Sequence, residues 1–231
     1  MSNINFFRVL QSGGVSDSSP SSSLDAYVDL SPPFTIAIAG TFKPDGTRFY
    51  GMCTSGTPSD SLFEWKVPTA WDVTSIVETD YTSSTDSDWD SVYPAGIAFK
   101  PDGLSCYVFV EGNTNANKIY QHTLTTAWDI STIGGASGQF AVDSGQSWAP
   151  TEPSYNTSAI YEGVYGNNIQ FSPDGTKLYI LVTDFHQSNT DADIYGYSLS
   201  TAYDLTTVSY DSTYNISSYA IYGHKFKPDG T

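Results

Sequence analysis

Short runs of aromatic and β-branched residues, bounded by Gly, Pro, Asn, Asp or Ser, recur along the whole chain. GIAF before Lys100, LSCYVFV after Gly103, KIYQHTL from Lys118 and TKLYILV from Thr176 all have strand length. No long apolar pattern returns at the 3.6-residue period of a helix. The pattern predicts an all-β chain of short strands.

The runs are organised by two recurring strings. F-K-P-D-G stands at Phe42–Gly46, Phe99–Gly103 and Phe226–Gly230, and F-S-P-D-G at Phe171–Gly175. Each of the first three copies is followed by a second string: T-A-W-D at Thr69–Asp72, T-A-W-D at Thr126–Asp129 and T-A-Y-D at Thr201–Asp204. The residues before each aspartate of the second string align without a gap, as LFEWKVPTAW, IYQHTLTTAW and IYGYSLSTAY. Two strings in fixed order define a repeat.

Each unit reads as four strands. The first ends in the Phe of F-x-P-D-G. Pro presets the first turn position, Asp bonds local backbone and Gly accepts a left-handed conformation, which makes a tight hairpin. The second strand follows at once, a variable loop leads to the third, and the T-A-W/Y-D turn reverses the chain into the fourth. Four antiparallel strands per unit match a propeller blade.

These units resemble the P-D-G-T-K-L-Y blades of bacterial and bacteriophage β-propeller repeat proteins, particularly a version with S-T-A-W-D in every blade. The resemblance spans about residues 34 to 231 and implies a fold rather than a function. The expected architecture is an all-β, incomplete propeller of about three four-stranded antiparallel blades plus one strand. An N-terminal arm and Ser/Gly-rich linker occupies 1–33, and blades occupy about 34–80, 92–140 and 163–212. A fourth begins over 219–231.

Composition narrows the partners. Of 231 residues, 39% are hydrophobic and 15% aromatic, enough for a β core. Nine Lys and Arg face 25 Asp and Glu, giving a net charge of −16. Such a surface opposes a nucleic-acid backbone, which needs a basic face. The longest apolar stretch, near Phe34–Gly40, is too short for a membrane helix, so no membrane insertion is expected. Cys53 and Cys106 fall at different strand positions and suggest neither a disulfide framework nor a zinc site.

The first residues, MSNINFFRVLQSGG, lack the basic start and apolar core of a signal peptide. Ile4–Leu10 is expected either to add a strand to a blade edge or to dock on another protein, with disorder the remaining option. At the other end the fourth F-K-P-D-G starts a blade that the chain does not complete. The expectation is a fragment of a longer propeller. The alternative is closure by strands of another chain or by the N-terminal segment.

Residues present in every blade read as turn and packing positions, since a reacting group is needed once. These are the P-D-G aspartates, Trp71, Trp128 and Tyr203. His122 aligns with Trp65 and Tyr197 and reads as structural. No Ser-His-Asp order, phosphate loop, H-E-x-x-H pair or cysteine nucleophile context occurs.

The variable segments carry the candidate binding residues. The distance from Asp129 to Phe171 far exceeds that from Asp72 to Phe99 or from Asp204 to Phe226. In a four-stranded blade both variable connections leave from one face and both constant turns from the other, and binding usually resides in such loops. The insertion at about 134–165 carries Trp148, Tyr155, Tyr161 and Tyr165 among Ser, Gly and Asn, an adaptable recognition mix. The loop from Thr183 adds Asp184 and His186. Asp86, Asp88 and Asp90 have the alternating spacing of a calcium loop start but lack its glycine and its closing glutamate.

The expected role is therefore a non-enzymatic binding or structural module with no cofactor. By analogy it would serve in a phage virion, tail fibre or extracellular appendage, and it would meet a glycan or protein through the variable face. The alternative is a propeller enzyme of the lactonase or lyase kind with a metal at the channel mouth, for which Glu162, Asn168 and His224 are scattered candidates. A protein-interaction scaffold is the third reading.

Overall fold

A computed structural model describes residues 8–11, 26–29, 34–56, 61–77, 80–85, 93–111, 118–141, 168–184, 191–216 and 226. The first sheet contains β3 (Phe34–Phe42), β4 (Arg48–Gly56), β5 (Ser61–Lys66) and β6 (Tyr81–Ser84), and β1 (Arg8–Gln11) and β2 (Ala26–Asp29) precede it. The second contains β7 (Tyr93–Phe99), β8 (Ser105–Glu111), β9 (Lys118–Leu124) and β10 (Ile133–Ala141). The third contains β11 (Asn168–Phe171), β12 (Lys177–Asp184), β13 (Asp191–Leu199) and β14 (Val208–Asn215). Strands follow sequence order in all three sheets, with antiparallel neighbours.

This is an incomplete β-propeller. First strands of adjacent sheets meet, β3 with β7 and β7 with β11, so the blades fan out from an inner row. Phe42, Phe99 and Phe171 end those inner strands, as their place before P-D-G requires. No α-helix occurs among the described residues, and none of their helices is long and apolar enough to cross a membrane.

Period-two alternation sends neighbouring side chains into different cores. Phe49 joins Phe63, Trp65 and Val73 on one face of the first sheet. Tyr50, the next residue, joins Met52 and Leu62 against Val108, Tyr120 and Ile130 of the second. Tyr107, Phe109 and Ile119 then meet Leu178, Ile180, Tyr195 and Leu205 of the third. Each seam between sheets is a closed apolar layer, which is why an isolated sheet of this kind cannot bury both faces.

Polar clasps fix the register across each seam. The Tyr50 hydroxyl donates to the Trp128 carbonyl at 2.7 Å, and the Tyr107 hydroxyl to the Tyr203 carbonyl at 2.6 Å. Glu64 Oε2 accepts from the Ile130 N–H at 3.2 Å, and Gln121 Oε1 from the Leu205 N–H at 3.0 Å. Glu64 also pairs with Arg48, so a buried carboxylate is compensated.

The N-terminal segment departs from expectation. Among the described residues Arg8–Gln11 pairs with no blade edge. It pairs with Ala26–Asp29 in a separate two-stranded sheet that lies against the 3-10 turn Val73–Ser75.

Candidate functional site

Each blade has one built face and one variable face, and the built face is set by its two strings. In the first blade the Gly46 N–H bonds the Lys43 carbonyl at 2.8 Å, closing the hairpin turn. Asp45 Oδ1 accepts from both the N–H and the hydroxyl of Thr47, at 3.0 and 2.6 Å. Asp174 repeats this with Thr176, and Asp102 receives the Leu104 N–H at 2.9 Å.

The second string locks onto the first. The N–H groups of Trp71, Trp128 and Tyr203 bond the carbonyls of Gly46, Gly103 and Gly175 at 3.0, 2.9 and 2.9 Å. These aromatic residues have φ of 66°, 65° and 62°, a left-handed conformation that costs a non-glycine residue about 1–3 kcal/mol. The strain places each ring flat over its glycine, where a Cβ would collide with it. The same rings rest on the inner-strand phenylalanines: Phe42–Trp71 at 5.4 Å, Phe99–Trp128 at 5.2 Å and Phe171–Tyr203 at 5.4 Å.

The aspartate of the second string then caps a 3-10 turn. Asp72, Asp129 and Asp204 accept from the N–H of Thr74, Ser131 and Thr206 at 3.0, 3.0 and 2.9 Å. In the three described blades the recurring aromatic, glycine and aspartate residues thus each have a structural task. His122 shares it: the ring is fully buried, with Nδ1 3.1 Å from the Gly134 carbonyl oxygen.

Electrostatics on this face is local. The Lys43 ammonium, with the two Thr47 bonds, holds Asp45 well below the usual carboxylate range. The Ser172 hydroxyl, then Thr176, holds Asp174 at about 2. Asp211 is lowered and Lys177 raised by their 2.8 Å ion pair, which Ser198 supports. Burial pushes the Cys106 thiol and the Tyr50 and Tyr107 hydroxyls up, so none is poised as a nucleophile or base.

Antiparallel pairing places the other strand ends on the opposite face. β12 runs from Lys177, beside the P-D-G turn, to Asp184, opposite Asp191. Asp184 therefore stands at the loop end of the third sheet. The strand ends flanking segments 57–60, 85–92, 112–117 and 142–167 lie on this side too. Residues 134–141, read as the start of the long insertion, are strand β10 instead.

Trp148, Tyr155, Tyr161, Tyr165 and His186 lie outside the described residues, as do Asp86, Asp88, Asp90, Glu162 and His224. Asn168 begins β11, opposite Leu181. Among the described residues no three His, Cys, Asp or Glu side chains form a group able to hold a metal ion. Sequence reasoning missed the clasp residues Glu64 and Gln121. Their alignment in the LFEWK and IYQHT segments is visible, but their reach into the next blade is not.

No family model matches the chain, and no curated protein matches it. Solved structures similar to it include a protein of Bacteroides fragilis provisionally named a 6-phosphogluconolactonase. It is 13% identical, with TM-score 0.45, and the match covers 84% of this chain and 46% of that one. A periplasmic gluconolactonase of Pseudomonas aeruginosa is 10% identical, with TM-score 0.39 and coverage of 70% and 39%. Hydrazine synthase of Kuenenia stuttgartiensis is 17% identical, with TM-score 0.37 and coverage of 74% and 36%. The chain spans less than half the length of each.

The first two neighbours bear enzyme names, contrary to the expectation that this chain is not an enzyme, and that expectation is withdrawn. The physical basis of that expectation was narrower than the conclusion drawn from it. That reacting groups do not recur in every blade excludes the recurring residues alone. A group supplied once, by one loop, escapes the argument. A role that excludes catalysis is accordingly not carried forward.

Proposed function

We propose that the chain acts through the loop face of its blades and that the ligand is a carbohydrate. One observation carries the reading. Both constant turns of every blade are locked to each other on one face, by the bonds from Trp71, Trp128 and Tyr203 to the facing glycines. Sequence freedom is thereby confined to the opposite face. A rigid scaffold with variable loops is the usual setting of a binding site. The 142–167 segment carries Trp148, Tyr155, Tyr161 and Tyr165 in its sequence, rings suited to stacking on sugars at low entropic cost.

The test is a glycan-binding assay on the full chain with Tyr155→Ala/Tyr161→Ala. Binding should fall at least ~10-fold while the far-UV spectrum and urea midpoint stay unchanged. Unaltered binding refutes the reading, and so does a shifted midpoint, which would make the rings structural.

A second reading is a propeller enzyme of the lactonase or lyase kind, suggested by the names of two neighbours. Proton release from a sugar lactone, followed in a pH-stat with and without divalent cations, tests it directly. No rate above the uncatalysed one for either condition removes it.

A further inference from the structure

The three described P-D-G turns contain the same Asp–Gly bond and differ at one position beside it. In each, the glycine N–H bonds the carbonyl that closes the hairpin: Gly46 to Lys43 at 2.8 Å, Gly103 to Lys100 at 2.8 Å and Gly175 to Ser172 at 2.9 Å. The glycine side of the bond is therefore alike in all three. The residue after the glycine is Thr47 in the first turn and Thr176 in the third, but Leu104 in the second.

That change takes a bond away from the aspartate. Asp45 accepts from the N–H and the hydroxyl of Thr47 and pairs with Lys43 at 2.8 Å. Asp174 accepts from the N–H and the hydroxyl of Thr176, and from the Ser172 hydroxyl at 2.6 Å. Asp102 accepts from the Leu104 N–H and pairs with Lys100 at 2.9 Å, and no hydroxyl bonds it among the described residues. All three aspartates are exposed, so water has access to each turn.

An Asp–Gly bond carries a reaction of its own. The glycine nitrogen, with no side chain beside it, attacks the carboxyl Cγ of the preceding aspartic acid. A C–N bond forms and a Cγ–O bond breaks, and the oxygen leaves as water with the amide hydrogen and the carboxyl hydrogen. Water then opens the five-membered imide. Cleavage of the new bond restores aspartate, whereas cleavage of the original peptide bond leaves the chain running through the side-chain carbonyl, as isoaspartate. Mass is conserved, and neither oxidant nor reductant takes part. Hydrogen bonds to the carboxylate oppose the first step twice, since they hold Cγ in place and favour the ionised form, a poor electrophile. The Ser172 and Thr176 hydroxyls hold Asp174 at about 2, and Lys43 with Thr47 holds Asp45 well below the usual range. At Asp102 burial opposes the lowering by Lys100 and the Leu104 N–H.

We propose that, of the three described turns, Asp102–Gly103 is the site at which the folded chain isomerises to isoaspartate, because its carboxylate lacks the hydroxyl bond that protects the other two. The consequence reaches the first seam. Isoaspartate adds one chain atom to the turn, just ahead of the Gly103 carbonyl that receives the Trp128 N–H at 2.9 Å. Trp128 in turn offers its carbonyl to the Tyr50 hydroxyl of the first sheet at 2.7 Å. The modification therefore loosens the contact between the first and second sheets. The Tyr107–Tyr203 bond of the second seam rests on the third turn, whose aspartate is protected.

Storage of the full chain at physiological temperature in mildly acidic buffer, followed by peptide mapping, tests this. Isoaspartate is read at each turn as an isomer of unchanged mass that accepts a methyl group from a protein isoaspartate methyltransferase. Asp102 should convert on the order of fivefold faster than Asp45 or Asp174, the ratio that one net hydrogen bond supports. In concentrated urea the three rates should converge, since Pro-Asp-Gly is common to all three turns. Two reciprocal substitutions at exposed positions separate the hydroxyl from the rest of the turn. Leu104→Thr should slow Asp102 to the rate of Asp45, and Thr47→Leu should raise Asp45 to the rate of Asp102. Unfolding speeds the reaction, so a slower Leu104→Thr variant is not a misfolded one. Equal rates in the folded chain overturn the proposal, as does an absence of isoaspartate at Asp102. A ranking that persists in urea, or that Leu104→Thr leaves unchanged, overturns it equally.

Discussion

Replacing Gly103 with Ala tests the lock between the two turns. Gly103 has φ of 73°, and an alanine there pays about 1–2 kcal/mol for the left-handed conformation. The added Cβ would also collide with the Trp128 ring, so the ring must leave its seat. Leaving costs its contacts with Phe99 at 5.2 Å and Tyr50 at 6.4 Å, about 0.5–1.5 kcal/mol for each pair. The sum is ~2–5 kcal/mol, a large part of the ~5–15 kcal/mol that holds a typical domain together. Urea unfolding followed by tryptophan fluorescence measures it, as a lower midpoint with an unchanged slope. Gly135→Ala is the control, since no atom lies within 4 Å of a Cβ there, and its effect should stay within about 0.5 kcal/mol. If Gly103→Ala also stays within about 0.5 kcal/mol, the strained aromatic turn is not what ties the strings together.

Two further outcomes follow from the clasps and the turn aspartates. Tyr107→Phe removes the donor to the Tyr203 carbonyl and should destabilise by about 1–2 kcal/mol in the same urea assay; no loss would mean that the apolar layer alone sets the seam. Asp174, held at about 2, stabilises the fold above the ordinary carboxylate value of about 4, and that contribution is lost as pH falls from ~4 through ~2. Asp174→Asn should therefore flatten the pH dependence of the urea midpoint in this window, and curves parallel to the wild type would refute the assignment.

The hairpin at F-x-P-D-G was legible because its chemistry is local. Pro44, Asp45 and Gly46 each act within a few residues, so the end of β3 at Phe42 follows from sequence. The T-A-W-D string was legible as a turn but not in its geometry. Trp and Tyr at positive φ contradict their intrinsic preference, and only the glycine opposite each ring makes the conformation worthwhile. Glu64, Gln121 and Gly196 occupy one aligned column whose meaning depends on how far the next blade stands away, a tertiary quantity. The candidate binding residues were found from loop length and composition alone. That signal places Asp184 on the loop side, but no local rule assigns a ligand.

The clasps join residues far apart in sequence, whereas the pairing within each sheet is local. Tyr50 and Trp128 are 78 residues apart, Tyr107 and Tyr203 are 96. Glu64 and Ile130 are 66 apart, Gln121 and Leu205 are 84. Each bond runs from an earlier sheet to a later turn, so a sheet emerging from the ribosome carries groups whose partners have not yet been made. Hairpins close on the microsecond scale, while contacts this distant form slowly. The seams are thus formed late, and interactions absent from the transition state govern how fast a fold comes apart. Weakening Tyr107 or Gln121 would then leave refolding nearly as fast as before and shorten the lifetime of the folded chain. In kinetic terms the sheets set the speed of assembly and the seams set its duration.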